Sequence, residues 1–151
     1  MKKYFVIVSM ALLLLVTGCG NTKEEMMTCT RTGNMSGVEM DFTYNIYYQG
    51  DIVNKVQTTE IITSDDEETL KTYEDGITSL YSNFDNIDHY NYDVVIKGNT
   101  LTSTTDINYK QMDMDKLLEI DSSIGSLLNS DNQVLLDKVV ETYEATGATC
   151  K

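Results

Sequence analysis

Three cysteines and a single histidine are the side chains of this 151-residue sequence with the sharpest intrinsic chemistry. The histidine, His89, follows Asp88 in a stretch that reads as a loop, and no serine stands in a nucleophile-elbow context to use it. A hydrolytic triad needs a base titrating near neutrality within hydrogen-bond reach of its nucleophile, so His89 is read as a surface residue. Zinc needs three or four cysteine or histidine ligands, a set that Cys29, Cys150 and His89 do not assemble. Asp113 and Asp115 bracket Met114 like the start of a calcium loop, but the third ligand and the glycine are missing. The acidic run over 65–68 fits the positive end of a helix dipole better than a metal site. Phosphate-cradling glycine motifs are absent from the sequence. The methionines (Met40, the pair Met26 and Met27, and Met112 with Met114) are too scattered for a copper carrier and suit core filling. The reading is therefore no catalytic residue, no cofactor and no metal ligand, hence not an enzyme. Two alternatives stay open on composition alone: an envelope hydrolase using a carboxylate pair, as in glycan cleavage, and a weak cation-binding module.

The cysteines divide into one and two. Lys2 and Lys3 precede an apolar run over 4–16, too short to span a bilayer comfortably, which has the form of a secretory signal. At its end Val16, Thr17, Gly18 and Cys19 resemble the lipobox of bacterial lipoproteins. The resemblance implies cleavage before Cys19 and transfer of a diacylglycerol to its thiol, the one strong nucleophile at that point. Two acyl chains, at about 0.8 kcal/mol per buried methylene, would hold the chain to a membrane without crossing it. Residues 1–18 are thus expected to be a signal peptide, 19–27 the lipidated cysteine and a polar tether, and 28–151 one domain, extracytoplasmic and lipid-anchored to the cell membrane. In an oxidising compartment the remaining pair, Cys29 and Cys150, is most simply a disulfide.

The formal net charge is −13, from 24 acidic and 11 basic residues, two of the latter in the leader. Such a surface repels nucleic acid and anionic headgroups. What remains is a module that binds or supports: a partner protein, an envelope component or a small apolar ligand held near the membrane. Tyrosine is in excess at ten residues; a tyrosine-lined concave face would suit that role.

These residues need elements to place them. Over 38–48 apolar and polar residues alternate, with Val38, Met40, Phe42, Tyr44 and Ile46 on one face of a strand. "QGD" turns the chain into a β-branched strand over 52–63. Ser64 lies three residues before Glu67, the spacing of a capping box. Leu70, Tyr73, Ile77, Leu80, Tyr81 and Phe84 then form a helical stripe. A second hairpin runs over 90–97 and 101–109 about Gly98 and Asn99, and a short helix over 115–120 follows. Ser130 with Gln133 repeats the capping-box spacing before a last helix carrying Leu136, Val139, Val140 and Tyr143, stopped at Gly147. Residues 26–32 are a possible first strand. Tyr44, Tyr73, Tyr81, Tyr90 and Tyr92 fall on faces that read as buried, and Tyr47 and Tyr109 on the other side. Two hairpins, a possible N-terminal strand and two amphipathic helices, without βαβ units, give an α+β fold with a mostly antiparallel sheet.

"YYQGDIVNKV" (47–56), "YSNFDNI" (81–87) and "DINYKQMDMDKLLEI" (106–120) occur in an order that resembles the YehR-like family of small bacterial lipoproteins of unknown function. The likeness covers roughly 37–124 and rests on structural motifs, Tyr48 with Gly50 and Asp51, and Asn108 and Tyr109 to Met112 and Asp113. It implies a lipid-anchored α+β domain, with no established activity and no catalytic residues to transfer. Cys29 and Cys150 depart from the family's pattern, so the disulfide rests on the redox argument alone.

Overall fold

The structure, a computed structural model, describes residues 23–151; the leader and Cys19 lie outside them. Six strands form one antiparallel sheet: β1 (Glu25–Met35), β2 (Val38–Gln49), β3 (Ile52–Thr63), β4 (Tyr90–Lys97), β5 (Thr100–Ile107) and β6 (Thr149–Cys150), in the spatial order β4-β5-β3-β2-β1-β6. Three helices lie in the connections: α1 (Glu67–Tyr81) between β3 and β4, and α2 (Met114–Ile120) and α3 (Leu136–Ala145) between β5 and β6. The α+β class expected from the alternating hairpins and amphipathic stripes is the observed one.

Strand periodicity decides which side chains the helices cover. In β2, Met40, Phe42, Tyr44 and Ile46 stand opposite Ile62, Glu60, Thr58 and Val56 of β3, which in turn face Leu101, Ser103, Thr105 and Ile107 of β5. Packed against this face are three clusters of buried residues. Leu70 of α1, with Tyr73 and Ile77, lies on Ile62, Leu101 and Val38. Val139 of α3 lies on Cys29, Ile46 and Val56. Leu117 of α2 meets Ile87 and Met112. Leu80, placed by periodicity on the α1 stripe, is instead 58% exposed.

The β2–β3 turn is tight because Gly50 adopts φ +61°, open to glycine at little cost. Next to it the ladder slips at Tyr47 and Tyr48, so the register reaches Val53 past Asn54. The slipped end is tied to the segment before α3, with Val53 N–H donating to Val134 O at 2.9 Å and Leu136 N–H to Asp51 O at 2.9 Å.

Several boundaries move. β1 starts at Glu25, so Glu25, Met26 and Met27, assigned to the tether, belong to the sheet. α1 is capped by Asp66, whose carboxylate accepts from Glu68 N–H; Ser64 accepts from Asp66 N–H one turn earlier. The capping-box spacing there serves a turn followed by a cap. α3 starts at Leu136 with no side-chain cap, and Ser130 lies outside it. Asn129 takes the local amides instead, accepting from Asp131 and Gln133 N–H and closing a turn. Gly147, at φ +92°, ends α3 as expected and turns the chain into β6.

Candidate binding seam

The helix-covered face is apolar at both ends and polar across its middle. Between the α1 cluster and the α3 cluster runs one row of the sheet: Arg31 of β1, Phe42 of β2, Glu60 of β3, Ser103 of β5 and Val94 of β4. The next row holds Cys29, Tyr44, Thr58, Thr105 and Tyr92. Glu60 shares the phase of Val56 and Ile62, so strand geometry turns its carboxylate inward among the helices, where it is partly buried.

Aromatic rings border this seam from every side. Tyr143 of α3 stacks on Tyr44 with centroids 4.1 Å apart, and Phe42 lies 6.4 Å beyond Tyr44. Across the seam Tyr81, the last residue of α1, meets Tyr92 at 5.5 Å and Tyr90 at 6.4 Å, while Phe84 stacks on Tyr90 at 4.6 Å. Arg31, the one arginine of the chain, places its guanidinium 4.1 Å over the Phe42 ring and donates to Thr146 O at 3.2 Å.

The electrostatics follow from this packing. Burial raises the Glu60 carboxyl above its ordinary range, opposed by the Ser103 and Tyr81 hydroxyls beside it and by the charge of Arg31. Tyr81 is pushed up to about 12, by burial first and then by the charge of Glu60. Burial likewise raises Tyr44, Tyr90 and Tyr143. These tyrosines stay neutral and able to donate throughout the physiological range. Ser103 Oγ is fully buried, its hydroxyl beside the Glu60 carboxylate and the Tyr81 hydroxyl. Among the described residues the ion pairs join Lys55 to Asp106, Lys71 to Glu74 and Asp75, and Lys138 to Glu141; none reaches Glu60.

The sequence-assigned residues sort clearly. Cys29 and Cys150 are bonded, as expected, facing each other across β1 and β6. His89 is exposed in the loop before β4 at φ +69°. Asp113 caps α2, accepting from Asp115 and Lys116 N–H, which accounts for its spacing to Asp115 without a cation. No three His, Cys, Asp or Glu side chains among the described residues come together to hold a metal ion. Tyr47 lies on the open face, as expected, where Lys55 sits 4.4 Å over its ring. Tyr109 does not. The strand ends at Ile107, the alternation stops, and the turn that follows carries Tyr109 into the core with its hydroxyl buried and raised by burial. Beside it a cavity of about 650 Å³ opens among Asn54, Lys110, Asp113 and Asp131.

Glu60, Ser103 and Arg31 were not singled out by sequence. A charge in phase with Val56 and Ile62 was the available signal for Glu60, since an inward strand position is apolar unless something satisfies the charge.

The family described as "Protein of unknown function (DUF1307)" matches residues 27–149. The chain belongs to that family. Among solved structures it is similar to the NMR structure of the E. coli YehR protein, at 18% identity and a TM-score of 0.57, covering 87% of this chain and 93% of that one. It is also similar to the NMR structure of a protein from Streptococcus pneumoniae TIGR4, at 17% identity and a TM-score of 0.53, covering 100% of this chain and 99% of that one. None of the curated proteins matches. At these identities the likeness establishes the fold, and the YehR-like resemblance read from the sequence motifs is upheld.

Proposed function

We propose that this DUF1307 chain is an extracytoplasmic binding module, anchored to the membrane by a diacylglycerol on Cys19, that holds a ligand in the aromatic seam around Glu60. The observation that carries the reading is the convergence of Tyr44, Tyr81 and Tyr90 on one partly buried carboxylate, with Tyr143 stacked on Tyr44, in the gap between two helix-covered clusters. A domain built only for support has no use for a polar break in the middle of its core, because each buried polar group there costs free energy unless it is paired. Rigid aromatic rings beside a charged group are the usual composition of a recognition site. The anchoring half of the reading rests on the basic start, the apolar run and the Val16–Cys19 pattern, and a disulfide accords with life outside the cytoplasm.

Each half has its own test. Intact mass spectrometry of the chain extracted from bacterial membranes should show an N-terminus at Cys19 carrying a diacylglyceryl group; an unlipidated N-terminus elsewhere overturns the anchor. The chain has no tryptophan, so its emission reports tyrosine alone. Titration with separated lipid, glycan and peptide fractions of the envelope should give a saturable emission change with one fraction, weakened in Tyr81→Phe. Unchanged emission with all three overturns the binding half.

A further inference from the structure

The two edges of the sheet are built differently. β6 is two residues long and covers β1 only at Cys29 and Thr30, the kind of short edge that resists chance pairing. β4 runs for eight residues without proline and without a slip in its register on β5. Lys97 and Thr100 flank the two-residue turn at Gly98 and Asn99, so they form a hydrogen-bonded pair, and the odd-numbered residues of β4 direct their backbone groups at β5. The N–H and C=O groups of Tyr92, Val94 and Ile96 therefore point away from the sheet, and among the described residues no strand meets them.

The side chains of this edge alternate by face. Val94 and Ile96 stand on the helix-covered side, half-buried against the α1 cluster. Asp93, Val95 and Lys97 share the open side, where they line a hollow with Thr102 and Thr104. Four residues of extended strand separate Asp93 from Lys97 by about 13 Å, too far for them to pair with each other. Neither joins an ion pair among the described residues.

We propose that β4 pairs antiparallel with β4 of a second copy of this chain, about a twofold axis at Val95, joining the two six-stranded sheets into one. In that register Asp93 stands opposite the partner's Lys97, and Lys97 opposite the partner's Asp93. Both are non-hydrogen-bonded positions, where side chains on facing strands approach most closely. Val94 and the partner's Ile96 exchange the outward backbone bonds and cover each other on the helix side. Charge selects this register over its neighbours. Moving the axis by one residue, to Val94 or Ile96, sets a charge opposite the partner's Val95. Moving it by two sets Asp93 against Asp93 or Lys97 against Lys97. An edge charged only to repel neighbours is served by a single sign; β4 carries both, at the spacing a twofold pairing uses.

The test uses the full-length chain in a neutral detergent, with micelles in large excess over protein, followed by sedimentation velocity. The unaltered chain is expected to show a reversible monomer–dimer equilibrium. Asp93→Lys and Lys97→Asp each create two like-charge pairs across the axis, and each is expected to weaken dimerisation about tenfold. Mixed together, the two variants should regain it as a heterodimer, since each supplies the sign the other lacks. Val95→Cys, opposite itself across the axis, should be trapped as a disulfide-linked dimer on mild oxidation, and Asn91→Cys should not. Circular dichroism on each variant separates lost pairing from lost folding. A monomer at every concentration up to the millimolar range, or a dimer indifferent to both charge reversals, refutes the pairing. Trapping through Asn91→Cys in preference to Val95→Cys refutes the register on which it rests.

Discussion

The bond between Cys29 and Cys150 gives the most quantitative expectation. It closes a loop of 121 residues, nearly the whole domain. On the chain-entropy argument, a loop of that length restricts the unfolded ensemble by about 5 kcal/mol at room temperature, with measured values commonly lower. Domains of this size have total stabilities of about 5–15 kcal/mol, so the bond accounts for a large share. The folded side points the same way. β6 is two residues long, and beyond its pairing with Cys29 and Thr30 it is held by the reciprocal bonds between Thr28 and Lys151, both at 3.0 Å. Urea unfolding of the doubly substituted Cys29→Ala, Cys150→Ala chain, followed by circular dichroism, should therefore show a loss of about 3–5 kcal/mol. The slope m should rise, because an unlinked unfolded chain exposes more surface. Wild-type protein under reductant keeps both sulfur atoms in place and should lose nearly the same amount, which separates the cross-link from the packing of Cys29, fully buried as it is. A loss below about 1 kcal/mol in both, with m unchanged, would refute the loop-closure account.

Glu60→Gln should stabilise the chain at neutral pH. Burial raises the folded-state carboxyl, so the folded chain binds more protons than the unfolded one from the ordinary carboxylate range upward to the raised value; wild-type stability falls as pH rises through that window, and the advantage of Gln should vanish below it. Urea midpoints of the two chains across pH 4 to 8 check this, and an advantage that persists unchanged into acid defeats it. On α1, Leu70→Ala should cost about 2–5 kcal/mol, since Leu70 is 1% exposed, whereas Leu80→Ala at 58% exposure should change stability by less than about 0.5 kcal/mol. Thermal melts of the pair decide it, and similar losses at both positions would contradict the placement of the α1 face.

Much of the fold was written in local pattern. The alternation beginning at Val38, the β-branched run opening at Ile52 and the Gly98–Asn99 turn each specify a strand end by chemistry acting over two or three residues, and those ends fall within a residue or two of expectation. Helix starts were less legible. Ser64 and Ser130 both have the capping spacing, yet Asp66 and Leu135 hold the N-cap positions. Ser, Asp and Asn compete for the same few amides, and tertiary contacts, such as the Leu136–Asp51 bond that fixes the start of α3, choose among them. Tyr109 was misplaced because a two-residue period has no authority beyond the strand that generates it.

The seam was harder to read for a different reason. Its members come from β1 to β5, α1 and α3, separated by up to 112 residues between Arg31 and Tyr143, and no local pattern joins them. What each carries by itself is a small violation of its own element. Glu60 is a charge on the apolar phase of β3; Ser103 is a hydroxyl between Leu101 and Thr105 on the inward phase of β5; Arg31 follows two positions after a fully buried cysteine. Any one of these is ordinary. Their alignment in a single row across four strands is not, because a sheet register that merely tolerated polar residues would scatter them along the edges, where water satisfies them without cost. A row of inward polar residues that bisects a core is retained against its free-energy cost only if it is paired by something. The Arg31–Phe42 stack pairs one end of the row, and the Ser103 and Tyr81 hydroxyls beside the Glu60 carboxylate answer the charge at its middle.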